Sequence, residues 1–274
     1  MLGKMSGFID CHCHLASTDF KEDIHEVISR AKKTGVRCAL VVPDLKYELP
    51  LVCDLAKTYP DFIAPALGIH PVQGSSPDNL RSVSWDDFEG VTELITEYKE
   101  NIVAIGEIGL DFTPRFIKSD SDKQTQRDIF KKQIQLAKSL NLPVNVHSRS
   151  AGRPAIELLK SEGAEMVLLH AFDGRPSIAM QGVQAGYYFS IPPSIVRSEQ
   201  KQKLVKQLPL EKLCLETDSP ALAAEKQTRN EPCNITICCD YIAKVKNITP
   251  EEVQRVTTAN ALKLFPKLDK FFDV

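Results

Sequence analysis

The feature that most constrains the fold of this chain is a repeated alternation of short apolar runs with amphipathic segments. Eight runs have the length and composition of buried β-strands, and they follow one another at intervals of roughly thirty residues, the length of one βα unit. The runs are Gly7–Asp10, Val36–Val42, Ile63–Ile69, Ile102–Glu107, Pro143–His147, Met166–His170, Tyr187–Ile191 and Leu213–Glu216. Strands that alternate with helices form a parallel sheet that is covered on both faces.

The segments between the runs carry helix signals. Hydrophobic residues recur at helical spacing from Ile24 to Ala31, and Gly35 follows where a C-terminal cap is expected. Thr249-Pro250-Glu251-Glu252 has the form of an N-terminal capping box. Eight such units favour an α/β fold with a single closed (β/α)8 barrel of the TIM type, over one domain of residues 1–274. An open doubly wound sheet is the alternative, but no Gly-x-Gly-x-x-Gly loop follows the first run to support it.

Composition and charge limit the classes of function. The formal net charge is −2, whereas a protein that coats long duplex nucleic acid usually carries a strong basic excess. Any contact with nucleic acid therefore requires a local basic patch. The apolar runs are strand-sized and Met1–Gly7 is too short and polar for a signal peptide, so we expect no membrane association and a cytoplasmic or nuclear location. The eight cysteines are expected to be free thiols there, with a thiolate zinc site as the alternative.

The histidines are not scattered along the chain. Five of the six close or directly follow a predicted strand, namely His12, His14, His70, His147 and His170, and the sixth, His25, lies on an outer helix. The C-terminal ends of barrel strands meet at one mouth, where active sites are built. Asp10, His12 and His14 alternate along an extended strand, so we expect them to share a face from which Cys11 and Cys13 point away.

Two carboxylates stand at equivalent positions. Glu107 ends the fourth run and Asp218 follows the eighth, and a buried carboxylate stays ionised only when it is paired or bound to a metal. The predicted metal ligands at the mouth are therefore His12, His14, Glu107, His147, His170 and Asp218. Imidazole with carboxylate suits Zn²⁺ or Mn²⁺, while carboxylate with water suits Mg²⁺.

Six ligands exceed the need of one tetrahedral ion, so two divalent cations about 3.5–4 Å apart are predicted. Glu107 is the natural bridge, because one carboxylate can give an oxygen to each ion. The shared water would lose its proton near neutral pH and attack a polarised electrophile. Asp218 is predicted to orient that water and accept its proton, so that Glu107 and Asp218 are the predicted catalytic residues.

Basic side chains surround the predicted mouth despite the low net charge. Loops after the fourth to eighth runs carry Arg115, Arg149, Arg153, Arg175, Arg197, Lys226 and Arg229. Arginine matches phosphate oxygens with two parallel hydrogen bonds. Predicted substrate contacts are Arg149, Arg175, Arg229 and His70, and the alternative for the arginines is an ordinary solvated surface.

These motifs, in this order, resemble those of a known family. Asp10-Cys11-His12-Cys13-His14-Leu15, Gly106-Glu107-Ile108-Gly109-Leu110-Asp111, His147-Ser148-Arg149, His170-Ala171-Phe172-Asp173-Gly174, Glu216-Thr217-Asp218-Ser219-Pro220, Arg229-Asn230-Glu231-Pro232 and the C-terminal Asn260-Ala261 with Leu264-Phe265 are similar to the motif series of the TatD family of metal-dependent deoxyribonucleases. The resemblance implies a monomeric barrel with a divalent metal centre that hydrolyses DNA phosphodiesters, often from the 3′ end. It also implies that His12, His14, Glu107 and Asp218 hold one metal and that Glu107, His147 and His170 hold the other.

The chain departs from the family pattern at the rim. Phe112-Thr113 stand where the family often has two tyrosines, and no aromatic residue lies near Pro220. Bases stack on aromatic faces when single strands bind, so these departures leave the preferred DNA form open. Asp111 has no role that follows from spacing alone.

Three functions are consistent with these residues. The first is a deoxyribonuclease that acts on DNA ends or single strands. The second is a metal-dependent hydrolase of a non-DNA ester or amide, such as an aminoacyl-tRNA ester. The third is a binding module that keeps a metal site for stability.

Overall fold

The structure is a computed structural model that describes residues 7–76 and 79–272. Most of the N-terminal segment Met1–Gly7, for which no signal peptide is predicted, lies outside these ranges. The predicted extent of the single domain, residues 1–274, likewise includes positions that are not described.

Ten strands and ten α-helices follow one another along the described chain. The strands are β1 (Phe8–Cys13), β2 (Val36–Val41), β3 (Ile63–Leu67), β4 (Val72–Gly74), β5 (Leu80–Ser82), β6 (Ala104–Gly109), β7 (Val144–His147), β8 (Val167–Leu169), β9 (Tyr188–Ile191) and β10 (Leu213–Leu215). The helices are α1 (Ile24–Lys33), α2 (Leu49–Thr58), α3 (Trp85–Phe88), α4 (Val91–Glu97), α5 (Asp120–Leu140), α6 (Gly152–Ser161), α7 (Pro176–Gln184), α8 (Glu199–Gln207), α9 (Ile235–Lys246) and α10 (Pro250–Leu264).

The main sheet is the predicted barrel. Its eight strands run in the order β1-β2-β3-β6-β7-β8-β9-β10 and pair in parallel. The segment after β10 returns to β1, where the Asp218 N–H donates to the His12 carbonyl at 2.9 Å and the His14 N–H donates to the Ser219 carbonyl at 2.7 Å. These bonds close the ring directly at the predicted site, so two ligand-bearing segments are held side by side. The predicted TIM-type fold is confirmed.

The opposite end of the barrel is covered by the C-terminus of the described chain. The barrel interior packs Cys38, Leu40, Leu168 and Cys214 in one cluster with hydrophobic residues of α10 and of the 3-10 helix that follows it. Asn260 donates from its side chain to the Leu213 carbonyl at 2.7 Å, at the start of β10. Since this end lies opposite the strand ends that carry the predicted ligands, the apolar core and the polar mouth are separated along the barrel axis.

Capping residues lie at the ends of the helices. Asn141 takes the left-handed conformation after α5, with φ of 53°, and Gly35 does so after α1, with φ of 90°. The Thr249 hydroxyl accepts the Glu252 N–H at 3.2 Å and so begins α10. Within the described ranges, none of the helices has the length and apolarity needed to cross a bilayer.

Two local features differ from the prediction. The antiparallel hairpin β4–β5 lies between β3 and β6, and its three-residue strands are too short for a period-two pattern to be recognised. A β-bulge interrupts β1 between Asp10 and Cys13. As a result Cys11 packs in the barrel interior whereas Cys13 packs among the outer residues, so the predicted common orientation of these two thiols is wrong.

Candidate metal centre

The first donor group is formed by two histidines of the β1 end and two carboxylates from other strands. His12 Nε2 lies 3.2 Å from His14 Nε2, 3.4 Å from Asp218 Oδ1 and 3.5 Å from Glu107 Oε2. His14 Nε2 lies 3.3 Å from Asp218 Oδ1 and 3.5 Å from Glu107 Oε2. Four donors placed tetrahedrally at about 2.0–2.1 Å from a zinc ion are about 3.3 Å apart. The four side chains therefore have the spacing of a coordination shell.

The second donor group uses the other oxygen of Glu107. Its Oε1 lies 2.7 Å from His170 Nε2 and 2.8 Å from His147 Nδ1, and these two nitrogens are 3.3 Å apart. Glu107 thus turns one oxygen toward each group, as a bridging carboxylate would. No cysteine sulfur belongs to a donor group among the described residues, which agrees with the expectation of a histidine and carboxylate site.

The orientation of His12 is set by an amide from a neighbouring strand. Asn145 Oδ1 lies 2.9 Å from His12 Nδ1, and Asn145 Nδ2 donates to the Cys11 carbonyl at 2.9 Å. Because the amide orientation is fixed in this way, the oxygen faces the ring and the proton of a neutral His12 lies on Nδ1. The lone pair of Nε2 then faces the donor group, as metal binding requires.

Two further carboxylates flank the second group. Asp111 Oδ2 lies 3.1 Å from His147 Nε2, and its Oδ1 accepts the Thr113 N–H at 2.8 Å. Glu216 Oε2 lies 3.8 Å from His170 Nδ1 and accepts the Ser190 hydroxyl at 2.5 Å. Carboxylates behind ligating histidines orient the rings and raise their basicity. Asp111 therefore lies where it can hold the ring of His147 in place, a contact that spacing alone did not indicate.

Asp10 contacts the loop after β10 and is not a member of either donor group. Its carboxylate accepts the Thr217 hydroxyl at 2.5 Å and the Thr217 N–H at 2.9 Å, and burial raises its pKa to about 7. The predicted shared face of Asp10, His12 and His14 is therefore wrong. Ile9 and Cys11 both pack in the barrel interior, so Asp10 between them points away from it, whereas His12 lies after the register shift and faces the donor groups. Asp10 holds Thr217, the neighbour of Asp218, beside the strand that carries the histidines.

The electrostatics of the groups fit a cationic occupant. Burial alone would lower the pKa of His14, but a hydrogen bond that His14 donates to Asp218 and the charge of Glu107 raise it to about 10. Burial would also lower the pKa of His147, which hydrogen bonds with Asp111 and Glu107 raise to about 9. Burial opposes ionisation of Glu107 itself, yet the surrounding imidazoles hold its pKa well below the ordinary value. The buried carboxylates thus demand positive charge, which protons on histidine supply when no cation does.

His70 is a further imidazole at the same place. Its Nε2 lies 3.7 Å from Glu107 Oε1, and its Nδ1 lies 3.1 Å from the Val72 nitrogen. Donor atoms of His70, Glu107 and His147 also lie close enough together to hold an ion. The predicted contact of His70 with substrate stays a prediction. The ring lines the cavity above the donor groups and also lies beside two of the donor residues.

The predicted phosphate-binding arginines divide into two kinds. Arg149 lines the main cavity above the donor groups, which has a volume of about 310 Å³ and is also lined by Arg115. Arg229 donates to Asp23 at 2.6 Å and to Glu231 at 2.8 Å. Neither Arg229 nor Arg175 is among the residues that line this cavity. A phosphate would have to compete with two carboxylates for Arg229, so Arg149 is the better placed of the predicted contacts.

Several contacting residues were not predicted as functional from the sequence. Asn145 lies within hydrogen-bond distance of His12 and Glu216 lies 3.8 Å from His170. The two residues of each pair are far apart along the chain, and no spacing rule connects them. A buried polar residue inside an apolar run was the available signal for both, because such a residue requires a partner.

Replacing Glu216 by Ala should weaken metal binding by about 10- to 100-fold, since the carboxyl group 3.8 Å from His170 Nδ1 is lost. Calorimetric titration of the metal-free protein with Zn²⁺ or Mn²⁺ measures the change. Glu165→Ala, at an exposed carboxylate remote from the mouth, is the matched control. Equal affinities for the two variants would remove the positioning role from Glu216.

Comparison with known proteins agrees with the resemblance of the motifs. The family model described as TatD related DNase matches residues 9–266. The chain is 59% identical to the deoxyribonuclease TATDN3 of Homo sapiens, over 96% of this chain and 96% of that protein. It is 34% identical to the uncharacterized metal-dependent hydrolase YabD of Bacillus subtilis, over 93% of this chain and 98% of that one. The crystal structure of YJJV, a TatD homologue of Escherichia coli K12, superposes with a TM-score of 0.81 at 27% identity and covers 94% of this chain and 98% of its own.

Proposed function

This protein belongs to the TatD family of metal-dependent hydrolases, and from that premise we propose that it is a deoxyribonuclease that cuts DNA phosphodiester bonds as an exonuclease. The observation that carries the proposal is the placement of Glu107, whose two oxygens face two separate donor groups. The name of the human relative, a deoxyribonuclease, supports DNA as the substrate.

We propose that two divalent cations, of Zn²⁺, Mg²⁺ or Mn²⁺, occupy the centre. The first group, His12, His14, Glu107 and Asp218, would hold one, and Glu107 with His147 and His170 would hold the other. When bound, such a pair lowers the pKa of a water molecule and polarises a phosphoryl oxygen.

The protein's own contribution to the reaction begins with Asp218. Burial would raise its pKa, but hydrogen bonds with His12 and His14 hold the pKa well below the ordinary value. The carboxylate therefore stays ionised at neutral pH. Asp218 lines the main cavity, so its second oxygen, Oδ2, is the proposed acceptor of the proton of the attacking water.

The substrate would enter through the main cavity. Arg115 and Arg149 line its wall, where their guanidinium groups can bind phosphate oxygens. A cavity of about 310 Å³ accommodates a terminal nucleotide and not a continuous duplex, which spans a far wider groove. This size supports action at DNA ends or on single strands.

The proposal is tested with metal-loaded protein and end-labelled single- and double-stranded DNA. Asp218→Asn should lower kcat by about 100- to 10,000-fold, the usual contribution of a general base, with a part of the loss due to weaker metal binding. Metal occupancy measured on the same sample separates the two effects. Intact DNA after incubation with the loaded wild-type protein would end the proposal.

A substrate panel separates the alternative chemistry. The same centre could hydrolyse a non-DNA ester or amide such as an aminoacyl-tRNA ester, and the net charge of −2 favours a small substrate over a long duplex. Turnover of a misacylated tRNA without turnover of DNA would support that alternative. A fully loaded protein without any turnover would support a binding module.

We also propose that the protein works as a monomer in the cytoplasm or nucleus. All eight cysteines are free thiols in the structure, which suits a reducing compartment. Large exposed hydrophobic side chains are few among the described residues, with Tyr47, Leu51, Trp85 and Val196 as the examples. Light scattering of the purified protein measures the mass directly.

A further inference from the structure

A second, smaller cavity lies beside the metal-binding groups. Its volume is about 180 Å³, and four residues line both this cavity and the main one, namely His147, Arg149, His170 and Asp218. The remaining lining residues are Ser148, Ala171, Asp173, Lys201 and Leu222. The two cavities therefore meet at the donor groups.

Two positive side chains reach this small cavity. Lys201 is only 7% exposed, although lysine is almost never buried without a partner, and its ammonium donates to the Ala171 carbonyl at 2.7 Å. Neither Lys201 nor Arg149 takes part in a salt bridge with a described carboxylate. Two carboxylates, Asp173 and Asp218, also line the cavity. Asp218 belongs to the first donor group, so Asp173 is the one negative charge of the lining that this group does not use.

The Ser148 hydroxyl gives an independent indication. Ser148 is 3% exposed, and its Oγ has no hydrogen-bond partner among the residues that the structure describes. A buried hydroxyl without a partner is unfavourable, and this one belongs to the lining of the small cavity. The cavity therefore offers one free hydroxyl donor together with two cationic groups.

We propose that the small cavity binds a second phosphate group of the substrate, next to the phosphodiester that is cut. The proposal rests on the proposed nuclease function, because a nucleic acid carries a phosphate at every nucleotide. Ser148 Oγ and Arg149 donate to the phosphate oxygens, and Lys201 contributes charge and its remaining N–H groups. A neighbouring phosphate bound there fixes the register of the chain over the metal-binding groups.

Short oligonucleotides test the proposal kinetically. The dinucleotide TpT has one phosphodiester and the trinucleotide TpTpT has two, so only the latter can fill both sites. Ser148→Ala should lower the ratio of kcat/KM for TpTpT to that for TpT by about tenfold, the usual effect of losing a hydrogen bond to a charged group. Ser194→Ala is the matched control, because Ser194 is also buried with an unpartnered hydroxyl but lies outside the cavity.

Structural and binding roles of Ser148 predict different results. Its hydroxyl makes no hydrogen bond within the described protein, so Ser148→Ala should not lower the melting temperature, and a kinetic loss without a stability loss marks a binding role. If both serine variants give the same substrate ratio, or if the wild-type protein does not prefer TpTpT, the second phosphate site is excluded. Failure to cut any DNA would overturn the nuclease function instead.

Phosphate binding to the small cavity can also be measured directly, without turnover. Calorimetric titration of the metal-loaded protein with inorganic phosphate should show two binding events, one at the metals and one in the small cavity. The second should weaken about tenfold in Ser148→Ala and persist in Ser194→Ala. A single event in the wild-type protein, or isotherms that do not differ between the variants, would show that water alone fills the cavity.

Discussion

Replacing Glu107 by Gln should reduce hydrolysis by at least about 1,000-fold, equivalent to about 4 kcal/mol of lost transition-state stabilisation. The reason is that one side chain serves both donor groups, with Oε2 facing His12 and His14 and Oε1 facing His147 and His170. Glutamine keeps the shape but loses the charge, and its amide nitrogen cannot act as a ligand. Both ions should therefore bind weakly. Metal analysis after gel filtration and a steady-state assay measure the two consequences on one sample.

The matched control for Glu107 is another buried carboxylate of the same cavity. Glu48 lines the cavity, is 6% exposed, and accepts the Asp44 N–H at 2.7 Å. Glu48→Gln keeps that acceptor oxygen, so its activity should stay within about twofold, as for a residue without transition-state contacts. A Glu107→Gln protein that keeps both ions and its activity would contradict the bridging assignment.

Removing the metals should lower the melting temperature by about 10 °C at neutral pH. A ligand present at 1,000 times its Kd stabilises the folded state by about 4 kcal/mol, and each kcal/mol corresponds to about 2–4 °C in a chain of this size. Calorimetric melting before and after treatment with a chelator gives the difference. Restoration by added Zn²⁺ or Mn²⁺ shows that the loss came from the ions, and an unchanged melting temperature would contradict a metal centre.

The size of this stabilisation should grow with pH. The folded-state pKa values of His14 and His147 are raised from 6.5 to about 10 and about 9. In the metal-free protein these imidazolium ions contribute stability that is complete below 6.5 and is lost as pH rises through the folded values. Metal binding must displace the same protons, so metal affinity rises across that window. The melting temperatures of the loaded and free proteins should therefore diverge between pH 6.5 and 9.

At acidic pH the same linkage predicts loss of function. Protonation of the imidazoles competes with the ions, so activity should fall as the pH decreases below the folded-state pKa values of His14 and His147. Activity that is unchanged at about pH 5 would contradict the histidine assignment. Raising the metal concentration should recover part of the acid-induced loss, because protons and ions compete for the same nitrogens.

The parts of the fold that could be predicted are those that depend on local sequence patterns. Each barrel strand is a continuous apolar run because both faces of a parallel sheet are buried, and the donors from His12 to Asp218 stand where those runs end. A chain that alternates strands and helices brings all such ends to one mouth. The convergence of these side chains at one mouth could therefore be predicted without knowing any distance.

The remaining features depend on contacts that no local pattern contains. Asp10 accepts hydrogen bonds from Thr217, which lies over 200 residues away, and the register shift of β1 directly follows Asp10. Arg229 carries the same charge as Arg149, and only the fold shows that Asp23 and Glu231 neutralise it. Lys201 lies on α8 in a sequence typical of a solvated helix face, yet its ammonium is buried beside the mouth.

The cover formed by α10 at the opposite end of the barrel has a consequence for how this protein can change. Residues such as Asn260 and Leu264 pack at the starts of the strands, while the cavity above the donor groups is lined by loops and strand ends at the mouth. Substitutions in those loops can alter specificity without weakening the closure, and stabilising substitutions near α10 leave turnover untouched. New substrates and greater heat resistance are thus separately accessible to an engineer, or to natural selection, on this one scaffold.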